Sequence, residues 1–212
     1  MIATLHRRIG GGLASLRRLV SSEAPEPCEL CGHPLAETHE HLIDPKNRRL
    51  VCTCQACALL FDHPAARYRR VPRDVRRLGA MADDGVFWNG LGIPIGLVFL
   101  FESSVTNQAL ALYPSPAGPT EAEVDSEAWA DLKKSTPELR SLRCDVEALL
   151  AKRTGGTQQY YVAPIDECYR LTGLIRRHWR GFSGGDEAWT AIDGFFAELS
   201  VKALPAGAAS HA

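Results

Sequence analysis

The sequence has no apolar run long enough to span a membrane. Its longest candidate, residues 91–101, has 11 positions and is interrupted by Gly92, Pro94 and Gly96, whereas a transmembrane helix needs about 20 apolar residues. The first 22 residues also lack the uninterrupted apolar core and the cleavage site of a secretory signal. These absences predict a cytoplasmic protein without a membrane span, in a reducing compartment where neighbouring cysteines are more often metal ligands than disulfides.

Motifs of the common enzyme classes are missing as well. The sequence contains no P-loop, no glycine-rich dinucleotide fingerprint and no nucleophile elbow. The two histidines of the segment HEH do not have the spacing of paired zinc ligands on one helix. Cys144 and Cys168 have no histidine near them in the sequence that could activate a thiol. Enzymatic activity is therefore not predicted, and binding or accessory roles are favoured.

Basic and acidic side chains nearly balance over the whole chain, 24 against 25, but their distribution is uneven. Residues 1–77 carry 13 basic and 8 acidic side chains, and residues 78–212 carry 11 and 17. The densest basic cluster surrounds Pro72, which could open a short helix. We predict that this cluster docks a protein partner through Arg69, Arg70, Arg73, Arg76 and Arg77. A solvated face paired with acidic residues is the alternative, and a nucleic-acid partner is less favoured.

Cysteine is the most informative residue, because five of the seven lie within thirty positions. Two C-x-x-C pairs are separated by 22 residues, an arrangement typical of zinc ribbons. Each pair can place both sulfurs about 2.3 Å from one ion, and two pairs complete a tetrahedron. The predicted ligands are Cys28, Cys31, Cys54 and Cys57. Zinc is the predicted ion, with iron or an iron–sulfur cluster as the alternative, since thiolates also bind these.

Four more residues near the cysteine pairs are candidate ligands. Cys52 lies two positions before Cys54, either as a small apolar core residue or as an exchangeable ligand. His33, His39 and His41 add imidazoles, and the last two should face one side of a strand. They are either exposed hairpin residues or ligands that bind a second metal or tune the first.

Local patterns predict an α+β fold, in which a small zinc-ribbon-like hairpin precedes an antiparallel sheet covered by C-terminal helices. The predicted strands are residues 38–43, 49–53, 95–102, 109–113 and 160–163. The predicted helices cover residues 136–154, begin after Pro164 and begin after Gly185. The predicted organisation is a basic flexible arm and linker (1–27), a cysteine-rich metal-binding ribbon (28–63), an α+β domain (64–203) and a disordered tail (204–212).

Several segments together resemble a known family. They are CELC, HEHL, CTCQACALLF, YRRVP, PIGLVFLF, YPSPAG, DVEALL and CYRLTGLIRRHWRG, followed by the final helix rich in Trp and Phe. They are similar to an uncharacterised actinobacterial family often encoded beside uptake nickel–iron hydrogenases. The resemblance covers most of residues 28–200. It implies an accessory or maturation role for a hydrogenase, through docking to one of its subunits or maturation factors, or the role of a small redox partner.

Overall fold

The computed structural model describes residues 25–63, 65–79, 81, 84–91, 96–115, 118–122, 124–154, 156–181 and 184–205. Most of the predicted arm and most of the predicted tail therefore lie outside the described residues. None of the helices formed by the described residues combines the length and apolarity that a membrane span requires.

The cysteine-rich segment forms a small antiparallel sheet. Its strands are β1 (Glu40–Asp44), β2 (Arg49–Thr53) and β3 (Arg69–Arg70), in the order β2-β1-β3. The β1–β2 turn is stabilised by the Asp44 carboxylate, which accepts a hydrogen bond from the Lys46 amide at 3.1 Å. A short helix, α1 (Gln55–Leu60), follows β2 directly. The predicted hairpin is confirmed, and it acquires a third strand from beyond residue 63.

The larger sheet has six antiparallel strands in the order β4-β9-β8-β5-β6-β7. They are β4 (Arg76–Arg77), β5 (Leu97–Ser103), β6 (Gln108–Ser115), β7 (Gly118–Ala122), β8 (Glu147–Thr154) and β9 (Thr157–Pro164). The helices are α2 (Asp84–Leu91), α3 (Ser126–Ser135), α4 (Ile165–His178) and α5 (Gly185–Lys202), with a 3₁₀ turn at Pro137–Ser141. The predicted α+β class, with C-terminal helices on an antiparallel sheet, is confirmed.

Both faces of the large sheet are buried, which explains the continuous apolar run in β5. Leu97, Phe99 and Phe101 pack into one hydrophobic cluster with residues of α4 and α5. Val98 and Leu100 point to the other face, into a cluster that contains residues of α2 and α3. A strand covered on both sides needs no alternation of polar and apolar residues.

The predicted helix over residues 136–154 is wrong, because its second part is strand β8 and its first part forms only the short 3₁₀ turn. Leu139, Leu142, Val146, Leu149 and Leu150 have helical spacing, yet Glu147–Lys152 is buried on both faces of the sheet. A doubly buried strand is apolar at nearly every position and so satisfies a helical pattern by chance. The glycine at 156, with φ of 80°, belongs to the tight β8–β9 turn and does not end a helix.

The short helix predicted after Pro72 is also wrong. The chain over residues 71–78 forms no helix, and β4 within it pairs with β9. The Val71 amide donates to the His41 carbonyl at 3.0 Å, and the Leu78 amide donates to the Tyr160 carbonyl at 2.9 Å. These backbone hydrogen bonds to both sheets outweigh the weak local preference for a helix.

The small sheet packs against the large one. Ile43 of β1 and Val71 belong to the same hydrophobic cluster as the core of the large sheet. The His41 imidazole and the Asp166 carboxylate at the start of α4 lie 2.7 Å apart. The division of the chain into a ribbon and a separate domain at residue 63 stays a prediction. The small sheet itself extends past that position, because β3 is one of its strands.

Glu102, which contacts Trp129 and Lys133 of α3, gives a testable link between ionisation and stability. Burial would raise the pKa of Glu102, but the Lys133 ammonium and the Trp129 indole N–H more than offset it, so this pKa is lowered. Its contribution is present at pH 7 and is lost as the pH falls below the ordinary glutamate pKa, about 4.3, through the lower folded-state value.

We expect Glu102→Gln to reduce the free energy of unfolding by about 1 kcal/mol at pH 7. The difference between variant and wild type should shrink at an acidic pH below the ordinary glutamate pKa, as the native carboxylate takes up a proton. Urea unfolding of both proteins at the two pH values measures this. An equal difference at both would contradict the role assigned to the Glu102–Lys133 pair.

Candidate metal centre

The four cysteines of the two C-x-x-C pairs lie at one end of the small sheet. Cys28 and Cys31 flank a tight turn, in which the Gly32 amide donates to the Cys28 carbonyl at 2.8 Å. Gly32 has φ of 74°, a conformation that glycine adopts without strain. Cys54 is the first residue before α1, and Cys57 lies in its first turn. A turn and a helix start therefore face each other.

The sulfur atoms converge as a tetrahedral centre requires. All four lie within 4.8 Å of one another. The Sγ atoms of Cys31 and Cys54 are 3.7 Å apart, close to the edge of about 3.8 Å that follows from four zinc–sulfur distances of about 2.3 Å. The arrangement could bind a metal ion such as zinc, with all four positions filled by protein sulfur.

The centre is buried on one side and accessible on the other. Cys28 and Cys57 are buried together with Leu35 in a small hydrophobic cluster, whereas Cys31 is exposed. An ion held here would have two of its ligands fixed by packing. The exposed side would let the ion enter without unfolding the core.

Burial and hydrogen bonding act on these thiols in opposite directions. Burial raises the pKa of Cys28, but backbone amides of both cysteine pairs donate to its sulfur and lower that pKa to about 6. Burial and the neighbouring thiols raise the pKa of Cys57 to about 12. The Cys28 thiolate is thus favoured without a metal, whereas ionising Cys57 requires a nearby cation, which a bound metal supplies.

A second group of candidate ligands lies beside the first. Donor atoms of His39, His41 and Cys52 lie within 4.8 Å of one another. The two imidazole rings, one directly before β1 and one within it, make an edge-to-face contact with centroids 4.9 Å apart. Burial and the carboxylate of Glu26 raise the pKa of Cys52 to about 11. His33 belongs to neither group.

Sequence reasoning missed one participant in this second group. Asp166 contacts His41 although the two residues are 125 positions apart, and no local pattern connects a helix start with a distant hairpin. Its signal in the sequence was limited to its place in the first turn of α4, where an acidic residue is common for reasons of helix stability.

The arginines of the predicted docking cluster do not form one uniform surface. Arg70 and Arg73 pair with Glu40, both at 3.0 Å, and Arg76 pairs with the buried Glu147 at 3.1 Å. The Arg69 guanidinium donates to nearby backbone carbonyls, including that of Ala66 at 2.9 Å. Arg77 is exposed. Their role in docking a partner stays a prediction.

The two solitary cysteines do not form a nucleophilic site. Cys168 is fully buried in the core, and burial raises its pKa well above the usual range. Cys144 lies 4.0 Å from the Glu102 carboxylate, and partial burial of its thiol together with that carboxylate raises its pKa. Both shifts disfavour the reactive thiolate.

The fold and this site define an α+β protein with a candidate four-cysteine metal centre on a small N-terminal sheet. Residues 27–203 match the model of a family of unknown function, DUF5947, and the chain belongs to that family. No curated protein matches the chain, and no solved structure matches it.

Proposed function

We propose that the chain is a metal-binding accessory protein whose four-cysteine centre holds a zinc ion and thereby fixes the small sheet. The observation that carries this proposal is the convergence of four sulfurs within 4.8 Å, with one pair at the edge length of a zinc–thiolate tetrahedron. Because protein sulfur would fill every coordination position, no position is open to a substrate, and the ion has a structural role.

Zinc is the proposed ion because four thiolates in a tetrahedron match its preferred structural site. Iron in the same shell would make the protein an electron carrier instead. Colour separates the two, since a zinc–thiolate protein is colourless and an iron–thiolate protein absorbs visible light.

The test is elemental analysis and a visible spectrum of the full chain purified without oxygen. We expect at least one equivalent of zinc per chain and no visible absorption band. The Cys31→Ser variant, purified in parallel, should have lost this ion. Iron with a visible absorption band would contradict the zinc proposal and favour an electron-transfer protein. The absence of any bound metal would contradict both.

The accessory role requires a protein partner, for which we propose a nickel–iron hydrogenase subunit. Its support is the resemblance in the cysteine and C-terminal motifs, together with the exposure of Arg77 in β4, an edge strand of the large sheet. Charge reversal at an interface weakens association steeply.

Binding of the purified chain to a purified hydrogenase large subunit tests the partner directly. We expect Arg77→Glu to weaken binding by about tenfold or more. The matched variant Arg176→Glu, at an exposed arginine on α4, should bind as the wild type does. Absence of binding by the metal-loaded wild type would contradict this partner.

A further inference from the structure

We propose that His39, His41 and Cys52 form a second metal site, which binds a divalent ion such as zinc through two imidazole nitrogens and one thiolate. This site is separate from the four-cysteine centre and differs from it in kind. Three protein ligands leave one coordination position open to water or to an added ligand. The donor set of two nitrogens and one sulfur suits borderline ions of the zinc class better than calcium or magnesium.

The first support is the hydrogen bonding of His39. Its Nδ1 atom lies 3.0 Å from the backbone carbonyl of Ala36. A carbonyl oxygen can only accept, so Nδ1 carries the proton and Nε2 of the neutral ring is a bare acceptor. Among the described residues this buried Nε2 atom has no hydrogen-bond partner. Buried polar atoms are rarely left unpaired, and a metal ion would satisfy this one.

The second support is the contact between His41 and Asp166. The Nδ1 atom of His41 lies 2.7 Å from the Asp166 carboxylate oxygen. A carboxylate that accepts a hydrogen bond from one ring nitrogen orients a metal-binding histidine. It also makes the other ring nitrogen a stronger electron-pair donor to the metal. The two histidines are therefore held in the same way, each through Nδ1, with each Nε2 left to coordinate an ion.

The third support is the position of Cys52. It lies directly opposite His41 in the β1–β2 register, and side chains of opposed residues lie on the same face of a sheet. Backbone hydrogen bonds fix this strand to the first cysteine pair, since the Glu29 amide donates to the Cys52 carbonyl at 3.0 Å. The sulfur is thereby placed beside the two imidazoles.

All three ligands are partly exposed, unlike the buried half of the four-cysteine centre. An ion in a three-ligand site with an open position exchanges more readily than one enclosed by four thiolates. We therefore expect two classes of bound zinc, one released by a chelator of intermediate affinity and one retained.

The experiment measures zinc per chain in the full-length protein loaded with zinc, before and after such a chelator. The wild type should bind two equivalents and keep one after treatment. His41→Ala and Cys52→Ser should each bind one equivalent, which resists the chelator. His33→Ala, a change at a nearby exposed histidine outside both groups, should bind two.

Asp166→Asn separates a positioning role from a structural one. It should keep both sites but hold the exchangeable zinc about 10- to 100-fold more weakly, as loss of such a carboxylate partner does. Affinity of the retained zinc should not change. An unchanged affinity of the exchangeable zinc in this variant would overturn the role of Asp166.

The outcomes also separate this proposal from the four-cysteine centre. One equivalent in the wild type that survives in His41→Ala would overturn the second site and leave the first intact. One equivalent that is lost in His41→Ala and kept in Cys31→Ser would support the second site and contradict the first. Two equivalents retained in both His41→Ala and Cys52→Ser would overturn the second site.

Discussion

Replacement of Cys31 with serine should release the ion of the four-cysteine centre and unfold the small sheet. The exposed Cys31 side chain contributes little packing, so the change removes a ligand without opening a cavity. A structural zinc ion contributes roughly 10 kcal/mol or more to the folding of comparable small sites, and the hydrophobic cluster at this centre contains few residues besides the cysteines themselves. Amide hydrogen exchange should show β1 and β2 exchanging freely, with β8 and β9 still protected.

Cys144→Ser is the matched control for this variant. Cys144 is also an exposed cysteine, and it lies outside both ligand groups. Its replacement should leave zinc content and exchange of the small sheet unchanged. Full protection of β1 and β2 in Cys31→Ser would contradict a structural role for the ion.

Removal of the Glu147 charge should produce a large loss of stability in the large sheet, where Glu147 is the first residue of β8. The Glu147 side chain is 1% exposed and accepts hydrogen bonds from the guanidinium groups of Arg76 and Arg143, both at 3.1 Å. Without the carboxylate, the largely buried Arg76 would keep an uncompensated charge. Breaking such a pair costs about 3 kcal/mol or more, which lowers the thermal midpoint by roughly 6–12 °C for a chain of this size.

Glu147→Gln and Glu198→Gln form a matched pair for this measurement. Glu198 is 59% exposed and pairs with Arg170 at 3.1 Å. An exposed ion pair contributes less than about 1 kcal/mol, so the second variant should melt within a few degrees of the wild type. Midpoints should be compared at one zinc concentration, because a bound ion stabilises the folded state. Equal decreases of the thermal midpoint in the two variants would contradict the stabilising role assigned to the buried Glu147 carboxylate.

The cysteine pairs and the hairpin between them could be predicted because their signals are local. Two residues between Cys28 and Cys31 fix the geometry of a knuckle, and turn residues after Asp44 fix the register of β1 and β2. The same holds for α4 and α5, whose apolar residues recur with helical spacing and lie in the core.

The strand β8 could not be predicted by the same reasoning, because its environment is set by distant parts of the chain. It is covered by residues of α3 on one face and of α5 on the other, and these elements come from both sides of it in sequence. Ala148, Leu149 and Leu150 are consecutive and all fully buried. Consecutive strand residues point to opposite faces, so this run requires a cover on both faces of the sheet.

The second ligand group was predictable in part. His39 and His41 are two positions apart, a spacing that predicts one face of an extended chain. Cys52 lies in β2, which pairs with β1. The distinguishing feature is the contact with Asp166, which arises only when α4 packs against the small sheet. Local patterns therefore give the donors, and tertiary packing gives the partner that orients them.

X-ray absorption at the zinc edge of the His41→Ala variant tests the central claim most directly, because this variant should keep only the four-cysteine ion. The account predicts a single shell of four sulfur atoms about 2.3 Å from zinc. A shell that contains nitrogen or oxygen, fewer than four sulfurs, or no bound zinc would contradict it.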